Sequence, residues 1–351
     1  MHNLSPLYRE ICSMANIWKA AHRTLLEGRR YKGPGAEFKL HYESYLLQIH
    51  NELASLTYQH GEYSTFYIYE PKQRLVLAAP IKDRVVHHAL HDVIEPMIDK
   101  KYIFDSYACR KDKGTHKAIT RAQKFLQANE YVMHLDVKKY FPSINHETLK
   151  CILKRHIKDQ QVLALFDTII NSPHKEKKDV QVDLFCEEKK GLPIGNLTSQ
   201  FLANLYLNEL DQYVKHVLKI KYYVRYMDDF VVFGNDKEEL LQTEKEIISF
   251  CIKKLQLSLH LKGGIKRYSE GFGFLGFRIF RKHKRLKSVC INRYLQKYKK
   301  KSKAIAKGMM TQEDLQRSID TWQNHISFGD TLRLQHFLKN KYNMNLIEAA
   351  S

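Results

Sequence analysis

The sequence predicts an α+β fold, and three observations carry that reading. Stretches with helical spacing of apolar residues and stretches of strand composition succeed one another without regular alternation. Apolar residues fill 44% of the 351 positions, which supports one large or two to three small packed cores and excludes a disordered chain. Two apolar, strand-like runs lead into aspartates, at Asp136 and at Asp228 and Asp229.

Residues 1–60 read as helical, with Ile17, Ala20, Ala21, Thr24 and Leu25 recurring at helix-like spacing and Leu46, Leu47, Ile49, Leu53 and Leu56 doing the same later. Gly33, Pro34 and Gly35 break the pattern between them. Residues 63–80 change to strand composition, with a turn at Pro71, Lys72 and Gln73. A helix is expected over 81–100, interrupted at Pro96, and another over 116–129. The strand 131–135 then ends in Asp136. Residues 146–170 read as helix, 173–190 as a charged loop with strand character at 180–185, and 198–218 as one long helix. Strands 222–226 and 230–233 flank Met227, Asp228 and Asp229, and a helix follows over 237–256. Short strands are expected over 259–287, and the last 60 residues are helical and strongly basic.

Lys plus Arg number 58 against 38 Asp plus Glu, a formal charge of +20. A core with that excess calls for an anionic partner, most often a nucleic acid. The six cysteines, at 12, 109, 151, 186, 251 and 290, form no zinc-type pair and read as reduced, mostly buried thiols. No run of about 18 apolar residues exists to cross a membrane. The first residues lack a signal-peptide core, so a cytoplasmic location is expected.

The chemistry concentrates in YVRYMDDFVV, residues 223–232, where strand-forming residues bracket two adjacent carboxylates. Adjacent aspartates also suit an ordinary hairpin turn. Asp136, taken alone, fits a helix N-cap or a strand end as well. If the two strands lie side by side, Asp136 and Asp228 converge into a set of oxygen ligands for a hard cation such as Mg²⁺. Two such ions about 4 Å apart can activate a hydroxyl and stabilise a leaving pyrophosphate, the chemistry of nucleotidyl transfer.

Tyr226, Met227, Asp228 and Asp229 resemble the YxDD box of reverse transcriptases, and Asp136 through Phe141 resemble their first acidic motif, D-x-x-x-[FY]-F. In the same order, RLVLAAPIKDR at 74–84 resembles the fingers segment ending in D-R-[IV]-V. SYACR at 106–110, followed by Gly114, His116 and Ala118, resembles a block of the prokaryotic enzymes. FLGF at 274–277 resembles the box after the palm. The resemblance spans about residues 65–280. It implies a right-hand polymerase: an N-terminal helical extension (1–60), fingers with part of the palm (61–135), palm (136–280, with a fingers insertion at about 146–190) and a C-terminal helical thumb (281–351).

The same resemblance implies catalytic Asp136, Asp228 and Asp229, with two Mg²⁺ ions (Mn²⁺ as the alternative) held by these residues and the Val137 carbonyl. It implies nucleotide contacts at Lys72, Arg74, Arg84, Lys139, Tyr140, Phe141, Ile194 and Gln200. Arg and Lys there can neutralise triphosphate oxygens. Phe141 corresponds to the steric gate against a ribose 2′-OH, with core packing beside Tyr140 as the plain alternative. The family's palm Lys before F-L-G is replaced by glycine in LHLKGGIK, 259–266, which leaves Lys262 and Lys266 as substitutes.

Group II intron and retron enzymes carry Q-G-x-x-x-S-P before the long palm helix, whereas this chain reads IGNLTSQ at 194–200. That variant is similar to the reverse transcriptases of diversity-generating retroelements, which copy a template-repeat RNA with errors at adenines. Ile194 either removes polar discrimination in the pocket or simply packs under the loop. The resemblance implies dNTPs, a template RNA, an RNA–DNA duplex and a small helical accessory protein as partners, in a bacterial, archaeal or phage-encoded system. In the basic tail, Arg293, Lys297, Lys299, Lys300 and Lys301 interleave with Tyr294 and Tyr298, a stripe suited to a duplex backbone, with a solvated helix face as the plain alternative. The other readings are a group II-like, retron or phage-defence enzyme and a catalytically silent RNA-binding scaffold.

Overall fold

A computed structural model of the chain describes residues 3–26, 33–69, 73–172, 189–342 and 344. The expected strand character at 180–185 and the candidate Lys72 lie outside them. Four helices lead: α1 (Pro6–Cys12), α2 (Met14–Thr24), α3 (Pro34–Leu40) and α4 (Tyr42–Ala54). Proline opens α1 and α3, where a missing N–H costs nothing, and the Ser13 side chain accepts from Asn16 N–H to cap α2. The antiparallel pair β1 (Ser64–Ile68) and β2 (Arg74–Ala78) follows, then α5 (Ile81–Asp99) and α6 (Thr115–Gln127). Helix α5 runs through Pro96 rather than stopping there. Proline in the last turn forfeits the bond to one carbonyl and leaves the rest of the helix intact.

Next come β3 (Tyr131–Val137), the single turn α7 (Tyr140–Ser143), α8 (His146–His156) and α9 (Gln160–Ile170). The helix expected over 146–170 is thus two helices, because Asp159 caps a new one by accepting from the Gln161 and Val162 N–H groups. Helix α10 (Leu197–Gln212) continues as a π-helical turn over Tyr213–Val217. After it stand β4 (Tyr223–Tyr226), β5 (Asp229–Gly234), α11 (Lys237–Leu255), β6 (Leu259–Arg267), and the short strands β7 (Phe272–Phe274), β8 (Phe277–Ile279) and β9 (Lys284–Leu286). Three helices close the fold: α12 (Ser288–Ala306), α13 (Gln312–Ile326) and α14 (Leu332–Tyr342).

The main sheet has the order β4-β5-β3-β6 with every pair antiparallel. Strand alternation gives it two different faces. Met133, Leu135, Val137, Tyr223, Phe230 and Val232 join the large core shared with the N-terminal helices, α5 and α8–α11. Val132, Val224, Val231 and Phe233 join a second core with α6 and Phe272, Phe274 and Phe277 of the small sheet β7-β8-β9. A third core, built on Tyr294, Leu315, Ile319 and Leu338, holds the last three helices together. The α+β class is the one the sequence predicts.

Of the described cysteines, Cys12 and Cys251 are buried, but Cys109 and Cys151 are exposed and Cys290 lies between, so burial of the thiols is less general than expected.

Candidate active site

Antiparallel register brings the two acidic motifs to one end of the main sheet. Asp136 of β3 stands directly opposite Asp229 of β5, and Val137 N–H donates to the Asp228 carbonyl at 3.1 Å. The hairpin between β4 and β5 closes over Met227 and Asp228, with Tyr226 paired to Asp229. Met227 takes φ +55°, a left-handed conformation that residues with side chains seldom adopt. Such turns persist only where the surroundings hold them.

Two cationic or donor side chains stand among the carboxylates. Lys262 of β6 reaches Asp229 at 3.0 Å and Asp136 at 3.2 Å. His134 Nε2 lies 2.5 Å from Asp229 Oδ1. The charges divide accordingly. Burial and the neighbouring Asp136 push the Asp228 carboxyl up to about 6. Burial would also raise Asp229, but His134 and Lys262 hold it below the ordinary carboxylate range. For Lys262, burial opposes the charge and the two aspartates outweigh it, so its ammonium is strengthened. Of the two candidates for the missing palm lysine, Lys262 is the one drawn to the carboxylates.

Among the described residues no three His, Cys, Asp or Glu side chains enclose a metal by themselves. The donor set nonetheless fits Mg²⁺, which binds through one or two carboxylates and takes its other ligands from water and substrate phosphates. Crowded carboxylates, one of them strained upward and two sharing a lysine, are also the environment that a hard cation relieves.

A groove of about 830 Å³ leads from this end of the sheet across the small sheet, lined by His134, Asp229, Lys262, Lys266, Arg278 and Lys287 among others. Lys287 lies across β7 only because residue 273 is glycine: a Cβ there would stand 2.4 Å from its Cε and Nζ.

Residues 194–196, which lead into α10, sit against β2, and the rest of the IGNLTSQ motif is the first turn of α10. Leu77 N–H donates to the Ile194 carbonyl at 2.9 Å. Gly195, at φ +125°, faces the Leu77 carbonyl so closely that a Cβ would come within 2.8 Å. Asn196 donates to the Tyr63 hydroxyl at 2.8 Å. Arg84 lines a cavity of about 280 Å³ together with Gly195 and Asn196, and its Nε donates to the Ala79 carbonyl at 2.7 Å. Gln200 is exposed and meets Cys109 at 3.6 Å, and Arg74 is exposed at the start of β2. Lys139 is exposed with φ +45°, and Phe141 is half-buried. Tyr140 departs from the expected nucleotide contact, because its side chain is 3% exposed and its hydroxyl bonds to the Ala203 carbonyl inside the large core.

The basic residues of α12 divide by face. Lys297, Lys299 and Lys300 are exposed, while Arg293 and Lys301 are half-buried. The interleaved tyrosines do not join them: Tyr294 stacks on Trp322 at 3.7 Å, and Tyr298 donates to the Tyr342 carbonyl. Apolar packing of the α12–α14 core claims both rings.

Sequence reasoning passed over three groups. His134 is two residues before Asp136, so strand alternation alone puts it on the carboxylate face. Arg225 is a charged residue inside an apolar strand, and it is fully buried against Asp211, with Nε and Nη2 at 2.7 and 2.6 Å. Asn204 of α10 accepts from Arg225 Nη1 at 2.9 Å.

The family model described as reverse transcriptase (RNA-dependent DNA polymerase) matches residues 70–279, more than half of the chain. The chain belongs to the reverse transcriptase family. Among curated relatives it is 27% identical over 243 residues to Protein YkfC of Escherichia coli, covering 58% of this chain and 62% of that protein. It is 25% identical over 140 residues to the group II intron-encoded protein LtrA of Lactococcus lactis, covering 40% of this chain and 22% of that one. The chain thus spans less than two thirds of these relatives. A solved telomerase from Candida albicans aligns at 12% identity with a TM-score of 0.48, over 73% of this chain and 50% of that one. No helix among the described residues is long and apolar enough to cross a membrane.

The strain on Asp228 gives this member of the family a testable stability signature. A carboxyl raised to about 6 binds its proton more tightly when folded, so its contribution to stability is present at low pH and lost as pH rises through about 6. Asp228→Asn is therefore expected to raise the melting temperature of the metal-free protein at pH 8, with the gain shrinking towards pH 5. Thermal unfolding in EDTA reads this directly, and equal melting temperatures at pH 8 contradict it.

Proposed function

We propose that the chain is an RNA-directed DNA polymerase whose reaction centre is Asp136, Asp228 and Asp229. The observation that carries this reading is the pairing of Asp136 with Asp229 at the end of the sheet, in a chain of the reverse transcriptase family. Two Mg²⁺ ions bound to the carboxylates and the Val137 carbonyl, or Mn²⁺ in their place, would activate the primer hydroxyl and stabilise the leaving pyrophosphate. The chain's own groups do the rest. Lys262 neutralises Asp136 and Asp229 before the nucleotide arrives and is the candidate proton donor to pyrophosphate. Arg74 and Arg84 would meet the triphosphate, the exposed Lys139 is a further candidate for it, Phe141 would screen the sugar, and Lys72, outside the described residues, is a triphosphate candidate from the motif alone. The basic groove beside Asp229 and the exposed face of α12 hold the RNA–DNA duplex by charge.

In this reading residues 1–60 are an extension, 61–135 the fingers, 136–280 the palm and 281–351 the thumb. The finer role is error-prone copying of a template-repeat RNA in a diversity-generating retroelement, with a small helical accessory protein. Ile194 and Gln200 of the IGNLTSQ motif support it. The group II intron-encoded relative supports a second reading, an intron-type enzyme. A neighbouring pair of repeats that differ at template adenines separates the two.

Three outcomes follow from these assignments. Asp136→Asn and Asp228→Asn are expected to abolish Mg²⁺-dependent dNTP incorporation and to leave duplex binding within about twofold, since neither side chain is a phosphate contact. Primer extension and binding assays decide it, and wild-type rates in either variant would remove the metal assignment. Duplex affinity should fall steeply with salt, and reversing Lys299, Lys300 and Lys301 to glutamate should weaken it for every sequence. Affinity indifferent to both makes the α12 face solvated surface only.

Ile194→Gln restores a polar group near the incoming nucleotide. One such contact separates right from wrong pairings by roughly 1–3 kcal/mol, and about 1.4 kcal/mol is tenfold in rate. Misincorporation opposite template adenine should fall several-fold to about a hundredfold while synthesis survives. Sequencing cDNA from an adenine-rich template reads the result, and an unchanged error spectrum means that Ile194 only packs.

A further inference from the structure

We propose that Arg225 is a positioning residue for the Met227–Asp228 turn, oriented for that task by Asn204. Arg225 lies three residues before Asp228 in β4, with Tyr223 on the sheet face that joins the large core. It is 0% exposed and so cannot touch nucleotide, primer or cation. Its influence runs through the backbone of the turn.

The guanidinium is fully engaged, and its arms are used unequally. Nε and Nη2 form a fork on the Asp211 carboxylate, at 2.7 and 2.6 Å. Nη1 donates to Asn204 Oδ1 at 2.9 Å and to the Met227 carbonyl at 3.1 Å. The group is planar and rigid, so fixing one edge on Asp211, one Nη1 hydrogen on Asn204 Oδ1 and the outer Nη2 hydrogen towards the Asn204 carbonyl at 3.5 Å aims the last hydrogen at the turn. An ion pair that served only the core would need Asp211 alone.

The turn needs such a hold. Met227 is kept at φ +55° between the two strands it joins. Its two successive carbonyls are each taken by one donor: the Asp228 carbonyl by Val137 N–H of β3, and the Met227 carbonyl by Arg225. The first fixes the turn to the strand of Asp136, and the second fixes it to α10 through Asn204 and Asp211. Together they set where the Asp228 carboxylate stands relative to Asp136. With the second lost, the turn is free to pivot about the first.

Asn204 offers the cleaner test, because it does not leave a buried charge without a partner. Its Nδ2 donates to the Ala108 carbonyl at 3.1 Å, and its Oδ1 accepts from Arg225. Asn204→Ala loses both bonds, whereas Asn204→Asp loses the first and keeps an acceptor for Nη1. The difference between the two variants therefore reports the bond to Arg225.

The inference rests on the reading of Asp136 and Asp228 as metal ligands, and the experiment separates the two. Mn²⁺ binding to the full chain is followed by electron paramagnetic resonance, the Mg²⁺ dependence of primer extension is measured in parallel, and folding is checked by thermal unfolding in EDTA. Partners that orient a ligand without touching the ion are worth about 10- to 100-fold in metal affinity. Asn204→Ala is expected to weaken Mn²⁺ binding and to raise the Mg²⁺ requirement by about tenfold, with Asn204→Asp recovering most of the loss and duplex affinity unchanged in both. If Asn204→Ala does not fold, Arg225→Lys takes its place: it keeps a charge opposite Asp211, lacks the third arm, and should show the same weakening. Unchanged Mn²⁺ affinity in a folded Asn204→Ala or Arg225→Lys overturns the positioning role, and so does equal weakening in Asn204→Ala and Asn204→Asp. A wild-type chain that binds no Mn²⁺, and that loses nothing on Asp228→Asn, overturns the metal reading itself.

Discussion

The ion pair between Arg225 and Asp211 is the contact from which the rest of the sheet end hangs. Both side chains are fully buried, and the Tyr223 hydroxyl donates to the same carboxylate at 2.8 Å. A buried pair of this kind adds little net stability compared with apolar packing, but removing one partner strands a charge and costs about 3–5 kcal/mol. The pair fastens α10 to β4. The backbone of Arg225 extends the tie sideways, because its N–H donates to the Asp105 carbonyl and its carbonyl accepts from Tyr107 N–H. The outer edge of β4 is thereby occupied by the 105–107 segment, and that part of the sheet offers no open edge for another chain to pair with. Asp105 is in turn held by Arg121 and Lys215, which links the segment to α6 and to the end of α10.

On the opposite face the problem is the reverse, since like charges must be kept together. Three carboxylates share one end of two strands, and the surrounding groups treat them differently. Asp229 meets both His134 and Lys262 through Oδ1, whereas Asp228 has its own backbone and a distant share of the lysine. Environments that push paired acids apart in this way assign them different duties. Asp228 is the one with most to gain from an added cation, and Asp229 is the one already partly balanced by its neighbours.

Much of this was legible in the sequence because it follows from alternation and from acids at strand ends. Asp136 and Asp228 could be brought together by supposing two adjacent strands, and the register does so. The helix at 81–99 was legible in extent, although Pro96 suggested a break that a last-turn proline does not enforce. Tyr294 and Tyr298 looked like part of a nucleic-acid stripe because helical spacing alone cannot tell which neighbours a face will meet. The partner that claims them, Trp322 in α13 together with Tyr342 at the end of α14, is distant in sequence. Tyr140 misled for a similar reason, because a residue beside a catalytic motif can still turn inward. Arg225 and Asn204 were illegible as a pair: each is an ordinary polar residue until α10 is laid against β4.

The bond from Leu77 N–H to the Ile194 carbonyl carries a consequence for how such a chain changes over generations. The 194–196 segment is held to β2 by this bond and to Tyr63 through Asn196, so it is an extra rung on a strand whose own residues lie elsewhere. A substitution at Val76 or Leu77 that shifts β2 by a fraction of an ångström must carry Ile194 with it, and Gly195 leaves no slack to absorb the movement. If Ile194 has the proposed role, copying accuracy would answer to ordinary packing positions in β2 while every residue of the proposed reaction centre stays unchanged.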